Sequence, residues 1–490
     1  MRPVKFVEVS NLRVTYLGRT RPSLEVEELA IDEGESVLVL GKSGSGKSTL
    51  VNVLNGVIPH MISARVEGEI RVFGKDPRKT PVHEMSHLVG TLLQDPEAQI
   101  FHHIVRDELA FAPENYCFPR VEILSRVNEA SKIVGVTHLM ERETSTLSGG
   151  ELQRVVLGSV LTLKPKSLIL DEPTSNIDPD GTAEILSLLR SFKEGGISMI
   201  IVEHKLERVL PYVDRVILVE DGRVTLNVTR EELPKEMERL MRAGVEVPEV
   251  RRTVSKRNAT GRAILKGKVK VSSGRKVLVD TEIEVREREI VALMGKNGAG
   301  KTTLLKAIMG ILDNRYQVVA HLTMMDKEIS KMPYYVRGRF ISYLPQSFDV
   351  MFVKRTVEDE IKFSSDDPEQ LIRLFSLDKV RKDDPLTLSF GQRRRVALAS
   401  ILGRRQRLAL LDEPTSGQDW FHRRSLGEEL QKMRENGVSF LVVTHDSRFV
   451  DRFCDRVMVM REGKIIYSGS PEQVFESRLV MPPVEYEGRK

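Results

Sequence analysis

Two short glycine-rich segments have the spacing of loops that bind phosphate groups. One runs over residues 41–49 and the other over residues 295–303, each with the pattern Gly-x4-Gly-Lys-Ser/Thr. Glycines let backbone N–H groups turn inward around phosphate oxygens, the lysine reaches the β and γ phosphates, and the hydroxyl is a ligand for Mg²⁺. One such string can be a simple turn, but two copies predict nucleotide binding. The candidate residues are Gly41, Ser43, Gly44, Gly46, Lys47, Ser48, Thr49, Gly295, Asn297, Gly298, Gly300, Lys301, Thr302 and Thr303.

Two acidic pairs could complete a hydrolytic site. Asp171-Glu172 and Asp412-Glu413 each end a hydrophobic run of strand length, where a carboxylate projects from the carboxyl edge of a sheet. We predict that each aspartate holds Mg²⁺ through water and that each glutamate polarises the attacking water. An acidic pair alone could be a solvated turn, but each of these pairs follows a phosphate loop.

His204 and His445 each lie 32 residues after the glutamate of their half. A lone histidine at the end of a strand is more often a structural hydrogen-bonding group than a catalytic one. The repeated spacing predicts instead that both face the γ-phosphate.

The spacing of these residues shows that the chain is a repeat. The phosphate loops are offset by 254 residues and Gln94 and Gln346 by 252, whereas the Leu-Ser-x-Gly segments, the Asp-Glu pairs and the histidines are all offset by 241. The second half is therefore eleven residues shorter between the glutamine and the Leu-Ser-x-Gly segment.

The elements that position these residues alternate between strands and helices. Strand-like runs such as Ser36–Leu40 and Ile290–Met294 precede the phosphate loops, and helix-like segments follow them. This alternation predicts an α/β fold with a mainly parallel sheet, built twice. The predicted domains are residues 1–228 and 261–490, joined by a charged linker, residues 229–260, that packs on the surface.

Composition restricts the class of protein. The 490 residues carry 75 Lys and Arg against 70 Asp and Glu, a net charge of +5 that does not by itself indicate nucleic-acid binding. No apolar run is long enough for a membrane helix, the N-terminus has no signal-like apolar region, and two cysteines are too few for a disulfide framework. We therefore expect a cytoplasmic protein without membrane spans.

The segment Leu147-Ser-Gly-Gly-Glu151, followed by Leu-Gln-Arg, completes a set of motifs that resembles the ABC ATPase family over nearly the whole chain. The resemblance implies two tandem P-loop NTPase domains of ABC type, each with a parallel sheet core, an antiparallel β part and a helical subdomain. In that family two ATP molecules, each with Mg²⁺, are sandwiched between head-to-tail domains. The signature Ser and Gly bind the γ-phosphate of ATP held by the opposite domain.

Carried over residue by residue, the resemblance implies two composite sites. The first combines Lys47, Ser48, Gln94, Asp171, Glu172 and His204 with Ser389 and Gly391. The second combines Lys301, Thr302, Gln346, Asp412, Glu413 and His445 with Ser148, Gly149 and Gly150. The implied Mg²⁺ ligands are Ser48, Gln94, Asp171, Thr302, Gln346 and Asp412.

The two halves are not equivalent. Tyr16 lies where the family places an aromatic residue that stacks on adenine, although it could equally be a strand residue that packs in the core. No aromatic residue lies at 271–275, and Phe390 stands where the family signature has glycine. Both glutamates and both histidines are present, so we predict two hydrolytic sites with unequal rates.

The segment Gln94-Asp-Pro-Glu-Ala-Gln-Ile-Phe101 is similar to the ATPases of energy-coupling factor transporters, which import vitamins and metal ions. That similarity implies a peripheral protein at the cytoplasmic face of the membrane. It implies as partners a transmembrane coupling subunit, whose coupling helix enters a groove near Glu97, and a membrane subunit that alone contacts the substrate. The second half does not repeat the segment, which favours two different coupling helices.

A soluble tandem ABC ATPase that acts on ribosomes or DNA is the alternative function. The near-balanced charge, the short linker and the absence of zinc-binding cysteines favour the transporter, and we expect no nucleic-acid partner. An ATP-gated regulatory module without turnover is a third class, which the two glutamates disfavour.

Overall fold

The computed structural model describes residues 5–247, 261–480 and 482–483, apart from residues 176, 178, 205, 366, 389, 404, 405, 417 and 419. The chain divides into two compact units, with the boundary at about residue 248. Among the described residues, no helix combines the length and the apolar character needed to cross a membrane.

The first unit is built on one nine-stranded sheet with the order β4-β1-β2-β9-β8-β3-β7-β6-β5. Its strands are β1 Lys5–Tyr16, β2 Leu24–Asp32, β3 Ser36–Leu40, β4 Ala64–Val72, β5 Val89–Leu92, β6 Ser167–Asp171, β7 Ser198–Val202, β8 Arg215–Glu220 and β9 Arg223–Thr229. Its helices are α1 Lys47–Leu54, α2 Val57–His60, α3 Val82–Met85, α4 Val105–Asn115, α5 Arg120–Ile133, α6 Gly149–Leu161, α7 Pro179–Glu194, α8 Leu206–Val209 and α9 Met237–Arg242.

The second unit has two sheets, one four-stranded with the order β11-β10-β13-β14 and one six-stranded with the order β15-β16-β17-β12-β18-β19. Its strands are β10 Ala263–Ser273, β11 Lys276–Arg286, β12 Ile290–Met294, β13 Tyr316–Met324, β14 Lys327–Glu328, β15 Ile341–Leu344, β16 Leu408–Asp412, β17 Ser439–Val443, β18 Arg456–Arg461 and β19 Lys464–Gly469. Its helices are α10 Lys301–Met309, α11 Tyr334–Arg337, α12 Val357–Ser364, α13 Pro368–Leu374, α14 Phe390–Leu402, α15 Trp420–Glu435, α16 Ser447–Phe453 and α17 Pro471–Glu476.

The predicted parallel core is confirmed in both units. In the first unit β5, β6, β7, β3 and β8 pair in parallel, and in the second β15, β16, β17, β12 and β18 do the same. All five residues of β3 are buried, with Leu38 and Leu40 in one apolar cluster and Val37 and Val39 in another. Such strands are apolar throughout because both faces of the sheet are covered.

An antiparallel part and a layer of helices complete each unit. Strands β1, β2 and β4 pair antiparallel in the first unit, and β10, β11, β13 and β14 do so in the second. Helices α4, α5 and α6 pack together, as do α12 with α13 and α14. This architecture agrees with the tandem α/β organisation predicted from the repeat.

The eleven-residue difference between the halves has a defined place. Helix α5 has 14 residues, whereas its counterpart α13 has seven, and α12 is three residues shorter than α4. The shortening therefore removes the end of one helix, the connection and the first turns of the next. It does not fall in the segment that directly follows the glutamine.

The first unit extends further than the predicted boundary at residue 228. Residues 233–242 form a short 3-10 turn and α9, and Leu233, Leu240, Val245 and Val247 are buried in a core cluster of that unit. Residues 248–260 of the predicted linker lie outside the described residues.

Candidate functional site

The predicted site residues of each unit meet at the carboxyl edge of its parallel sheet. In the first unit the phosphate loop follows β3, His204 follows β7, Asp171 ends β6 and Gln94 follows β5; these four strands are neighbours in the order β3-β7-β6-β5. The second unit repeats the arrangement on β12, β17, β16 and β15. Chain segments about 160 residues apart are thus brought together because the carboxyl ends of parallel strands share one edge.

The phosphate loops have a backbone that requires glycine at defined positions. Gly41 has φ of +150° and Gly46 has φ of +109°, and a Cβ atom at Gly41 would lie 2.2 Å from the carbonyl oxygen of Val219. Gly295 has the same constraint, because a Cβ atom there would lie 2.1 Å from the carbonyl oxygen of Met460. The glycines therefore allow the loop to pack directly on the neighbouring strand end.

Both loop lysines are buried and bond to the loop that they follow. Lys47 Nζ donates to the carbonyl oxygens of Gly41 and Lys42 at 2.7 and 2.9 Å. Lys301 Nζ makes the equivalent bonds to Gly295 and Lys296 at 2.7 and 2.9 Å. The two loops share one geometry, with the cationic group held inside the turn where phosphate oxygens would lie.

A cavity of about 540 Å³ adjoins the first loop. Its lining includes Tyr16, Gly44, Lys47, Ser48 and Thr49. The hydroxyl of Tyr16 lies 3.0 Å from Thr49 Oγ1, while the ring also packs against a core cluster. Tyr16 thus has one edge in the core and lines the cavity; its predicted stacking on adenine stays a prediction.

Glu172 is held by two partners in the first unit. Its Oε1 lies 2.9 Å from His204 Nε2, and its Oε2 accepts a hydrogen bond from the Ser175 hydroxyl at 2.7 Å. Burial disfavours the charged form, but the hydrogen bond and charge of His204, together with Ser175 and Lys47, lower the pKa of Glu172 to about 2. The carboxylate is therefore ionised and oriented at neutral pH.

Glu413 has a different environment in the second unit. Its Oε1 lies 3.3 Å from His445 Nε2, and that nitrogen is closer, at 3.0 Å, to Asn297 Oδ1. Burial raises the pKa of Glu413 to about 8, with Lys301 opposing the shift. Asn297 replaces Ser43 of the first loop, so a difference in the loop changes the contacts of the histidine.

The aspartates fit an oxygen-ligated divalent cation. Burial, and then the nearby charge of Glu172, raises the pKa of Asp171 to about 6, and burial also raises the pKa of Asp412. In the second unit Thr302 Oγ1 donates to Asp412 Oδ1 at 3.2 Å. Hydroxyl and carboxylate oxygens are the donors that Mg²⁺ prefers, and a cation there would relieve the cost of burying the carboxylate.

The signature segments lie on the helical layer of each unit. Ser148 is the N-cap of α6 and forms a capping box with Glu151, and Gly149 and Gly150 open the helix. Gly391 lies in α14, and Ser389 lies outside the described residues. Ser148 is thus a helix cap, and its pairing with a nucleotide of the other unit stays a prediction.

Two buried carboxylates were not predicted from the sequence. Glu108 Oε2 accepts hydrogen bonds from the N–H groups of Phe101 and His102 at 2.9 and 2.8 Å. Glu360 Oε2 accepts them from Val353 and Lys354, both at 2.8 Å. The signal was present, because Val-x-Asp-Glu recurs at residues 105–108 and 357–360 with the offset of 252 that relates the glutamines.

A third unpredicted carboxylate orders the loop after Glu172. Glu203 Oε1 accepts from the backbone N–H and the hydroxyl of Thr174 at 3.0 and 2.6 Å. The second unit has Thr444 at this position, and its hydroxyl lies 2.7 Å from that of Thr415. No sequence pattern indicated this pair, because only the packing of β7 beside β6 brings the two loops together.

Comparison with known proteins identifies the class of this site. The family model of the ABC transporters matches residues 24–175 and 278–416. An ABC transporter ATP-binding protein of Saccharolobus solfataricus is 52% identical over 99% of this chain and 98% of its own length, and one of Methanosarcina mazei is 33% identical over 98% and 92%. The chain belongs to the ABC transporter family and carries two ATP-binding ABC regions in tandem.

One solved structure supports the same fold over nearly the whole chain. A chain from the structure of ribosome-bound archaeal Pelota and ABCE1 covers 95% of this chain and 80% of its own length, with a TM-score of 0.68 and 21% identity. The cbiO1 protein from Clostridium perfringens, part of the ABC transporter complex cbiONQ, is 34% identical and covers 50% of this chain and 96% of its own length. The TM-score for that chain is 0.43.

Proposed function

We propose that this protein is the ATP-hydrolysing motor subunit of a membrane importer of the energy-coupling factor type, which takes up a vitamin or a metal ion. It lies at the cytoplasmic face of the membrane and couples to a transmembrane subunit and a substrate-binding membrane subunit. Each unit holds one ATP with Mg²⁺ and supplies its signature helix to the ATP of the other.

The conformation of the segment that follows Gln94 is the observation that supports this role. Gln99, the second glutamine of the motif, accepts from the N–H of Leu93 at 2.7 Å and donates to the carbonyl of Thr91 at 3.2 Å. These bonds fold the segment back on the end of β5. Pro96 precedes the 3-10 turn at Glu97–Gln99, whose first residue is exposed.

The same segment also presents an exposed apolar side chain. Phe101 is 68% exposed and stacks on Phe111 of α4 with 4.9 Å between ring centroids. Glu108 fixes the backbone of Phe101 from inside. An exposed carboxylate and an exposed aromatic ring four residues apart suit an amphipathic helix that carries arginine.

The chemistry follows from the residues at the carboxyl edge. The loop N–H groups and Lys47 or Lys301 bind and orient the phosphates. The ionised Glu172, or Glu413 once it has lost its own proton, accepts a proton from the attacking water. His204 and His445 lie against these glutamates and orient them. Bound Mg²⁺, held by Ser48 and Asp171 or by Thr302 and Asp412, would neutralise charge on the phosphates.

Isolation of the full chain from the membranes of its source cells tests the role. Recovery with small hydrophobic subunits is expected, and Glu97→Lys should weaken that recovery while basal ATP hydrolysis is retained. Glu27→Lys, at an exposed position of β2, is the matched control and should behave as wild type. Recovery with ribosomes, without membrane subunits, would instead support the soluble alternative.

A further inference from the structure

The two units present equivalent surfaces of different chemistry after their glutamines. We call residues 95–111 with 140–141 the first docking surface and residues 347–363 with 381–382 the second docking surface; the repeat relates them by offsets of 252 and 241. Glu108 and Glu360 hold the two loops by the same pair of backbone hydrogen bonds. The backbone frame is therefore shared, and the differences lie in the side chains.

Two exposed acids of the first docking surface are lost or engaged in the second. Asp95 and Glu97 are both exposed. Ser347 replaces the former, and Asp349 replaces the latter but pairs with Arg393 of α14 at 2.9 Å. The second surface thus has no carboxylate available at these two positions.

Cations appear where the first docking surface has histidines. Lys354 and Arg355 occupy the positions of His102 and His103, and both are exposed. Among the described residues, neither cation forms an ion pair with a carboxylate. Lys354 Nζ lies 4.4 Å from the ring centroid of Phe363, so its charge is held beside an apolar group.

One ion pair is repeated with its charges exchanged. Arg106 pairs with Glu141 at 2.7 Å in the first unit, and the equivalent positions in the second unit hold Glu358 and Lys382, which pair at 2.8 Å. Glu141 and Lys382 are the outer members, with side chains 75% and 77% exposed. The exchange leaves an acid at the outer edge of the first surface and a cation at that of the second.

The second docking surface is also apolar. Val350, Val353 and Phe363 are 83%, 65% and 56% exposed. Exposed apolar side chains on the same surface as cations that form no ion pair with a described carboxylate indicate a binding surface. Water solvates the apolar groups poorly, and an anionic partner would neutralise the cations.

We propose that the second docking surface binds a segment of the membrane partner that carries carboxylates beside an apolar face, whereas the first binds a cationic segment. The inference rests on the proposed function and specifies the partner. Because the two docking surfaces carry opposite charges, a partner that docked with its two segments exchanged would meet like charge at both surfaces. An asymmetric partner would therefore dock in one orientation only.

Two synthetic probes test this on the full chain. Both are 16-residue amphipathic helical peptides with the same Ala/Leu face, one with glutamates and the other with arginines on the polar face. Fluorescence anisotropy at low ionic strength should show binding of both. The double variant Lys354→Glu/Arg355→Glu should weaken the acidic peptide at least about tenfold and leave the basic peptide within about twofold.

A matched control has the same change in net charge. Arg275→Glu/Lys276→Glu reverses an adjacent exposed basic pair at the β10–β11 turn and should leave acidic-peptide binding unchanged. Basal ATP hydrolysis and the melting temperature of both double variants should match wild type, which shows that they fold.

Three outcomes would overturn the proposal. The first is failure of the acidic peptide to bind wild type, and the second is equal weakening of its binding in the control variant. The third is that Lys354→Glu/Arg355→Glu loses binding to phosphatidylglycerol vesicles but keeps binding to the acidic peptide, which would indicate that the surface contacts lipid. If membrane subunits co-purify equally with wild type and with Lys354→Glu/Arg355→Glu, the second docking surface does not bind an acidic segment, but the proposed function is unaffected. If no membrane subunit is recovered with wild type, the proposed function fails whatever the peptides do.

Discussion

Replacement of Glu429 should change how the stability of the second unit depends on pH. This glutamate lies in the middle of α15 and is 7% exposed; the Ser425 hydroxyl donates to its Oε1 at 3.2 Å. Burial raises its pKa from 4.5 to about 7. The equivalent position of the first unit holds Leu188, which lies in an apolar cluster.

The raised pKa of Glu429 sets the sign and the size of the change in the free energy of unfolding with pH. Below pH 4.5 the carboxyl is protonated in both states and its stabilising effect is complete. As pH rises toward 7, the unfolded chain loses the proton while the folded chain keeps it, so the free energy of unfolding falls. At about 1.4 kcal/mol for each unit of pKa difference, the loss reaches about 3 kcal/mol above pH 7.

Glu429→Gln should remove this pH dependence, because the amide stays neutral and still accepts from Ser425. Urea unfolding between pH 5 and 8 can be followed by circular dichroism. We expect the variant to be more stable than wild type by about 1 kcal/mol at pH 5 and by about 3 kcal/mol at pH 8.

Glu428→Gln is the matched control. Glu428 is exposed and pairs with Arg424 at 2.8 Å on the same helix, so the control should keep the wild-type slope. Glu429→Leu should stabilise the unit at pH 8 as well, as the leucine of the first unit indicates. An unchanged slope in Glu429→Gln would refute the link between burial and protonation.

The nucleotide sites and the docking surfaces lead to three further expectations. Glu172→Gln and Glu413→Gln should each slow single-turnover hydrolysis about 10² to 10⁴-fold at their own site, since each removes a general base; a loss in only one variant would contradict two working sites. Tyr16→Phe should keep ATP affinity within about twofold and Tyr16→Ala should lower it about tenfold in a binding titration, because base stacking needs the ring but not the hydroxyl bond to Thr49; equal affinities would exclude stacking. Glu108→Gln should weaken the charge-assisted bonds to the 101–102 backbone and accelerate amide hydrogen exchange there about tenfold or more, with basal hydrolysis unchanged; unaltered exchange would contradict its role as an anchor.

Much of the fold was predictable because its signals are local. The buried strands Ser36–Leu40 and Ile290–Met294 have the predicted bounds, since a continuous apolar run flanked by glycine or charge has few alternatives. The boundary of the first unit was less predictable. Residues 229–247 are charged in sequence, yet Leu233, Leu240, Val245 and Val247 among them are buried in the core.

The positions of the candidate site residues were predictable, but their contacts were not. Lys47, Asp171 and His204 belong to motifs of fixed spacing on neighbouring parallel strands, so their convergence follows from topology. The contact between Asn297 and His445 did not follow, because it depends on how the phosphate loop after β12 meets the end of β17. The two residues are 148 positions apart in the chain.

By itself, the sequence determined that this protein has two α/β units, each with a glycine-rich phosphate loop, an acidic strand end and a histidine, because these features depend on local spacing. The tertiary structure alone decided what surrounds them. The exchanged ion pairs Arg106–Glu141 and Glu358–Lys382 join residues 35 and 24 positions apart, and each charge looks incidental until the fold brings its partner within 3 Å. Electrostatic interaction falls with distance in space and not along the chain, so the opposite character of the two docking surfaces emerges only in the folded units.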